Sequence, residues 1–442
     1  MQIDLSPWFA QPGAQAFTER RAAMPWRNTV PLPADAVQPA WHQLLLNPAP
    51  PRKRLVYLHI PFCATRCTFC GFYQHKFQPD EADRYVNALL REIEMEADSP
   101  LYQSAPVHAV YFGGGTPTAL SAAGLYRLIS LLKARLPLAP DCEITIEGRT
   151  LNVDDARIDA CLDAGANRFS IGIQTFDSRI RQRMGRTADR QQSIAFLKKL
   201  CRRDRAAVVC DLIFGLPGQT ASLWRQDLAT IRDIGLDGVD LYALNLLPTT
   251  PLAKAADNER VMLPDVAARH AFYLQGAGLL EEYGWRQLSN SHWAGTTRER
   301  NLYNLLIKQG ADCLASGCGA GGSVNGQAYM IERKLDSYYQ ALARGHKPVS
   351  MMTQAAGGTH QWRHQLQAGI ETGRVDLKLL TARAALLQPL VDQWHHSGLL
   401  TTNDLCLRFT GSGRFWANNI MQCLTEILLR LSTVSGEGSE HG

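Results

Sequence analysis

No run in this 442-residue chain is apolar and long enough to span a membrane. The opening, MQIDLSPWFAQPG, lacks the basic-then-apolar pattern of a secretory signal. A cytoplasmic protein without a membrane partner is therefore expected. Charge of one sign is also lacking: 46 Lys and Arg stand against 41 Asp and Glu, a net of +5 spread along the chain. That balance argues against nucleic acid as the main partner. Eleven cysteines are present, but eight of them (Cys142, Cys161, Cys201, Cys210, Cys313, Cys318, Cys406 and Cys423) are scattered, mostly in apolar or helical stretches. An odd total, dispersed in this way, argues against a disulfide framework, and most of the eight read as small buried hydrophobes.

Six stretches read as strands: RLVYLHI (54–60), VHAVYFGG (107–114), CEITIEG (142–148), RFSIGIQ (168–174), AAVVCDLIFG (206–215) and GVDLYAL (238–244). Between them lie amphipathic helical stretches such as PDEADRYVNALLREIEMEAD, with apolar residues at three- and four-residue steps. Six βα units in series imply parallel strands with right-handed crossovers. Polar and glycine-rich residues gather at the ends of many different strands. A βα barrel carries ligand chemistry in that way, whereas a doubly wound sheet concentrates it at one switch point.

The expected class is α/β, a partial (β/α)6 barrel over residues 51–250, open on one side. A Pro-rich N-terminal extension (1–50) is expected to wrap it. A barrel-completing, substrate-binding region (251–350) follows. Residues 351–432 read as a small, mostly helical, winged-helix-like C-terminal domain with a short hairpin near GLLTTNDLCLRF, and 433–442 as a disordered tail. No internal repeat appears beyond the βα alternation.

The remaining cysteines, Cys63, Cys67 and Cys70, cluster in YLHIPFCATRCTFCGFYQHKF, directly after the first strand. A fourth cysteine is lacking. Three thiolates at Cys-x3-Cys-x2-Cys spacing hold three corners of a [4Fe–4S] cube and leave one iron open. A structural zinc site is the alternative, with His75 as its fourth ligand. The exit of the first strand and the aromatic Phe69 inside the spacing favour the cube.

This motif, collinear with YFGGGTPT and the strand ends that follow, resembles the radical S-adenosylmethionine superfamily over roughly residues 50–330. Within it the chain is similar to the branch of oxygen-independent coproporphyrinogen oxidase. The resemblance implies a partial βα barrel whose open iron chelates the amine and carboxylate of S-adenosylmethionine, with reductive cleavage to a 5′-deoxyadenosyl radical. It carries Cys63, Cys67 and Cys70 over as cluster ligands. The cofactor-binding positions it implies are Tyr57 and Phe69 near the cluster or adenosyl part, and Gly113, Gly114, Gly115 and Thr116 at the methionine amine. Glu147 and Asp211 fall at ribose hydroxyls, Gln174 at ribose or carboxylate, Arg186 at the carboxylate, and Ala243 with Leu244 at the adenosyl group.

Three members of the branch compete. Coproporphyrinogen oxidases carry a further cysteine two positions after the third ligand, where this chain has Phe72. Haem chaperones carry a His-Asn-x-x-Tyr-Trp stretch, where this chain has ERNLYN with Arg300 in place of His. FCGFYQHKF, NSHWAGTTRERNLYN and GCGAGGSVNG are most similar to the anaerobilin synthases. That resemblance implies a radical methyltransferase that opens haem to a methylated linear tetrapyrrole and releases iron. One or two molecules of S-adenosylmethionine and a flavodoxin- or reductase-type electron donor are implied with it. Haem calls for cations and a possible axial ligand: Arg298 and Arg300 are the candidate propionate partners, and His292 the candidate ligand or proton donor. His360 and His364, four apart, are read as a polar helix face. The GCGAGG stretch allows either close approach to substrate or a bent connection.

Overall fold

The computed structural model describes residues 3–21, 29–151, 153–354, 359–376, 378–379, 384–403 and 406–434. Of the expected tail, residues 435–442 lie outside that set.

The six expected strands form as β1 (Arg54–Ile60), β2 (Val107–Gly114), β3 (Leu138–Gly148), β4 (Arg168–Gln174), β5 (Ala207–Phe214) and β6 (Gly238–Ala243). They pair in chain order, all parallel. Four of the crossover helices begin on side-chain caps: Ser121, Asp154, Asp189 and Thr220 each accept a backbone N–H of the first turn.

The sheet is larger than six strands. Asp312–Ser316 adds a seventh parallel strand on the outer side of β1. Antiparallel strands then extend both margins. Gly321–Val324, Gln327–Ile331 and Val349–Met352 follow on one side, and His292–Ala294 and Arg286–Gln287 on the other. Among the described residues the twelve strands run in a linear order whose two ends are not paired with each other, so the barrel is open.

Period-2 alternation decides where the core sits. Ile144, Ile146, Phe169, Ile171, Ile173, Val208 and Cys210 face the helices and belong to the main apolar core. Burial contributes roughly 1.5–3 kcal/mol for each large side chain of this kind. With the barrel held from outside, its interior is polar. The registers place Tyr57 beside Tyr111, Thr145 beside Arg168, Glu147 beside Ser170, and Asp211 beside Asp240.

Beyond the sheet, helices Thr359–Thr372, Ala384–His396 and Ala417–Val434 accompany a hairpin of Leu400–Asn403 and Cys406–Phe409. The N-terminal segment lies against these helices. Trp394 Nε1 donates to Trp8 O at 3.0 Å, and Arg20 Nε to Phe415 O at 3.0 Å. The helix Ala34–Leu46 instead reaches the sheet margin, where Gln38 Nε2 donates to Val349 O at 3.0 Å.

Candidate active site at the strand ends

The cysteine loop leaves β1 at its C-terminal end. It is closed by a parallel pairing of Phe62–Cys63 with His75–Lys76 and by Phe77 N donating to Cys63 O at 3.0 Å. Cys63 and Cys67 are buried and Cys70 half-buried. Burial pushes the Cys63 thiol up, while Thr116 and Arg149 pull it back. Cys67 and Cys70 oppose its ionisation too. Cys63 Sγ lies 3.4 Å from Thr116 Oγ1, Cys67 Sγ accepts from Arg149 Nη2 at 3.1 Å, and Cys70 Sγ from Phe72 N at 3.3 Å. Among the described residues no group of three His, Cys, Asp or Glu converges as a single ion requires.

The glycine turn packs against this loop. Gly114 has φ +109°, in the left-handed region. A Cβ on Gly115 would stand 2.5 Å from Phe62 O and 3.0 Å from Ile60 O. These are backbone neighbours that cannot swing aside. Gly115→Ala is therefore expected to cost about 1–3 kcal/mol and to push Cys63 out of place. Urea midpoint and iron bound per chain should both fall; wild-type values of both would show that the contact is not needed.

Four polar side chains stand at the same end of the strands. Arg186 Nη1 donates to Gly172 O at 2.8 Å, and its guanidinium lies 5.8 Å from the Phe69 ring. Gln174 has φ +72°. Buried without hydrogen-bond partners among the described residues are Gln174 Oε1 and Arg186 Nε. Such orphaned groups are costly unless a ligand satisfies them. Glu147 Oε1 accepts from Tyr111 Oη at 2.6 Å, and Asp211 Oδ1 from Ser170 Oγ at 3.1 Å. Both carboxylates keep some surface toward the central space but are otherwise enclosed. That burial pushes Glu147 up to about 7 and Asp211, with Asp240 adding to it, up to about 6. Leu244 and Phe69 share a small apolar cluster with Ile213 and Met184, next to Ala243 at the end of β6.

The Radical SAM superfamily pattern matches residues 57–231. An anaerobilin synthase of Escherichia coli O157:H7 is 60% identical over 426 residues, covering 96% of this chain and 96% of that one. The chain belongs to the anaerobilin synthase family. A haem chaperone of Synechocystis sp. is 30% identical over 292 residues, 65% of this chain and 70% of its own. The solved coproporphyrinogen III oxidase of Escherichia coli shares the fold, with a TM-score of 0.76 at 24% identity over 92% of this chain and 96% of that one. As a member of the radical SAM superfamily the chain uses a [4Fe–4S] cluster and S-adenosylmethionine. Its own loop and orphaned groups fit them.

Not every expected residue gathers at this site. Tyr57 does stand beside it: a Cβ on Gly113 would lie 3.0 Å from the Tyr57 ring and 3.2 Å from Glu147 Oε2, and that ring stacks 6.4 Å from Tyr111. Arg298 and Arg300, the expected propionate partners, stand away from the cysteine loop. Arg298 pairs with Asp204, and Arg300 donates to Asp141 O at 2.8 Å. Both partners lie where strands begin, at the end opposite the cysteine loop. His292 is fully buried, with Nδ1 2.9 Å from Asp240 and Nε2 3.0 Å from Glu299. Neither ring nitrogen is open to an axial position on iron. His364 lines a cavity of about 660 Å³ between the helix Leu302–Lys308 and the C-terminal helices, while the His360 side chain lies outside the described residues. In the GCGAGG stretch, Gly317 is pressed against the chain, where a Cβ would meet His59 O at 2.6 Å, while Gly321 and Gly322 open the strand Gly321–Val324 and line that same cavity.

Two residues escaped the sequence reading. Arg149 follows Glu147 by two on the same strand exit, the position that singled out Glu147 itself. Gly172 sits inside a strand, where glycine often marks close approach; a Cβ there would stand 3.0 Å from Gln174 Nε2 and 3.6 Å from Arg186 Nη2. Among the described residues no helix is long and apolar enough to cross a membrane.

Proposed function

We propose that this chain degrades haem without oxygen, methylating the porphyrin and opening it at a meso bridge to a linear tetrapyrrole, with iron released. The observation that carries the reading is the three-cysteine loop facing Gln174, Arg186, Glu147 and Asp211, in a chain 60% identical over nearly its whole length to an anaerobilin synthase. When bound, the cluster and S-adenosylmethionine supply a 5′-deoxyadenosyl radical and the methyl group. The chain's own residues hold and orient. The Arg186 fork suits the methionine carboxylate, with Gln174 Oε1 beside it as an acceptor. Glu147 and Asp211 accept hydrogen bonds from hydroxyl or ammonium groups, and the Phe69–Leu244 cluster excludes water from the adenosyl side. A flavodoxin- or reductase-type protein supplies electrons, in the cytoplasm.

The test mixes anaerobically reconstituted protein with haem, S-adenosylmethionine and a strong reductant. Loss of the Soret band with a methylated linear tetrapyrrole is expected. An intact band with haem held stoichiometrically would move the reading to a carrier.

The raised carboxylates give a second expectation. Glu147 at about 7 and Asp211 at about 6 must lose protons to meet a cationic ligand. Affinity for S-adenosylmethionine should rise about tenfold between pH 6 and pH 8, with protons released on binding. Calorimetry in buffers of different ionisation enthalpy reads both. Glu147→Gln should flatten the profile; a profile equally steep in that variant assigns the proton elsewhere.

A further inference from the structure

We infer that Arg149 is a positioning residue for the cluster, which raises its reduction potential through a charged hydrogen bond to the Cys67 sulfur. Three contacts fix the guanidinium over the cysteine loop: Nη2 to Cys67 Sγ at 3.1 Å, Nη1 to Thr65 O at 3.1 Å, and Nη2 to Thr65 Oγ1 at 3.3 Å. Two further arginines flank the loop, but their bonds go elsewhere. Arg181 donates to Ile173 O at 2.7 Å and Ala188 O at 2.6 Å, and Arg186 donates to Gly172 O at 2.8 Å. Among the described residues, Arg149 is the cation with a recorded bond to a cluster-loop sulfur.

The physical consequence follows from charge. Accepting an electron makes a thiolate-held cluster more negative. An N–H aimed at a ligand sulfur and a fixed positive charge beside it both favour that reduced state. A neutral side chain of similar length removes both. Lys restores the charge without the planar fork that spans Thr65 and Cys67 together. This rests on the cluster assignment alone and is independent of what the enzyme does to haem.

The experiment is an EPR-monitored redox titration of the reconstituted full chain without S-adenosylmethionine or haem, alongside iron and sulfide content. In Arg149→Met the reduced-to-oxidised ratio at a fixed applied potential should fall about tenfold, equal to about 59 mV for one electron. Arg149→Lys should recover part of that shift. Thr65→Val, which removes the Thr65 hydroxyl acceptor and leaves Cys67 untouched, should titrate like the wild type. If Arg149→Met does not assemble a cluster, Arg149→Gln keeps an N–H donor without the charge and is expected to shift in the same direction. A fully assembled Met or Gln variant with the wild-type potential overturns the proposal. So does a Thr65→Val shift as large as that of Arg149→Met, since the effect would then come from loop geometry. Because no haem is present, failure here leaves the ring-opening reading standing, and failure of ring opening leaves this one.

Discussion

The Cys67→Ala protein is expected to bind haem and leave it intact. Cys67 is one of three thiols in a loop with no fourth cysteine to take its place, and its sulfur is already engaged by Arg149 at 3.1 Å. Removing it leaves two ligands for a cube that needs three. The fold should survive, because the loop is closed independently by the Phe62–Cys63 pairing with His75–Lys76 and by Leu252 N donating to Thr68 O at 2.9 Å. Turnover should fall to the uncatalysed background, a loss of at least about 10⁶-fold on the scale of enzymatic accelerations. Three measurements separate the effects: iron and sulfide per chain, the visible absorbance of the cluster, and Soret decay under reductant. If the variant opens the ring at the wild-type rate, radical chemistry at this loop is wrong.

The reason this loop was legible in the sequence is that its information is local. Spacing, a preceding strand and an aromatic inside the motif lie within about twenty residues. The strands of the barrel were legible for a similar reason. In CEITIEG, Glu143, Thr145 and Glu147 alternate with Ile144 and Ile146, and the register of β3 turns the two sets to opposite faces. The seventh parallel strand, DCLAS, was not visible. Its five residues carry no alternation of their own, and they become a strand by pairing with β1 from more than 250 positions away in the chain.

The misplacement of Arg298 and Arg300 has one topological cause. His292–Ala294 runs antiparallel to β6, so the chain leaving it returns to the end where the strands begin. A sequence shows that a cation is present but not which mouth of the barrel it reaches. His292 was singled out for its chemistry beside Trp293, yet its partners, Asp240 and Glu299, come from either side of that reversal.

Glu299→Gln should be among the most destabilising single changes in this chain. Glu299 is fully buried, accepts from Arg168 Nε at 3.1 and 3.0 Å through its two oxygens, and lies 3.0 Å from His292. Removing its charge leaves the buried guanidinium with Glu143 and the buried imidazolium with Asp240 as their remaining counter-charges, a partial case of the broken buried pair that costs up to roughly 3–5 kcal/mol. The pH dependence carries a definite sign. Burial opposes the charge on His292, but Asp240 and Glu299 outweigh it and raise its pKa to about 9. A raised basic group contributes stability that is complete below its unfolded value near 6.5 and is lost as pH climbs through about 9. Glu299 is the mirror case: burial opposes its charge, yet Arg168 and His292 hold it at about 2, so its share is present above about 4.5 and lost only as pH falls through 2. Urea midpoints of wild type and Glu299→Gln should therefore differ most near pH 6, and the gap should narrow by pH 9 as His292 gives up its proton. A gap of equal size at both values would remove His292 as the titrating partner. The consequence reaches the strand ends, because Arg168 and His292 both favour the ionised form of Asp211. These two interior cations keep a neighbouring carboxylate within reach of ionisation at neutral pH, which ties the stability of the interior to the charge on Asp211.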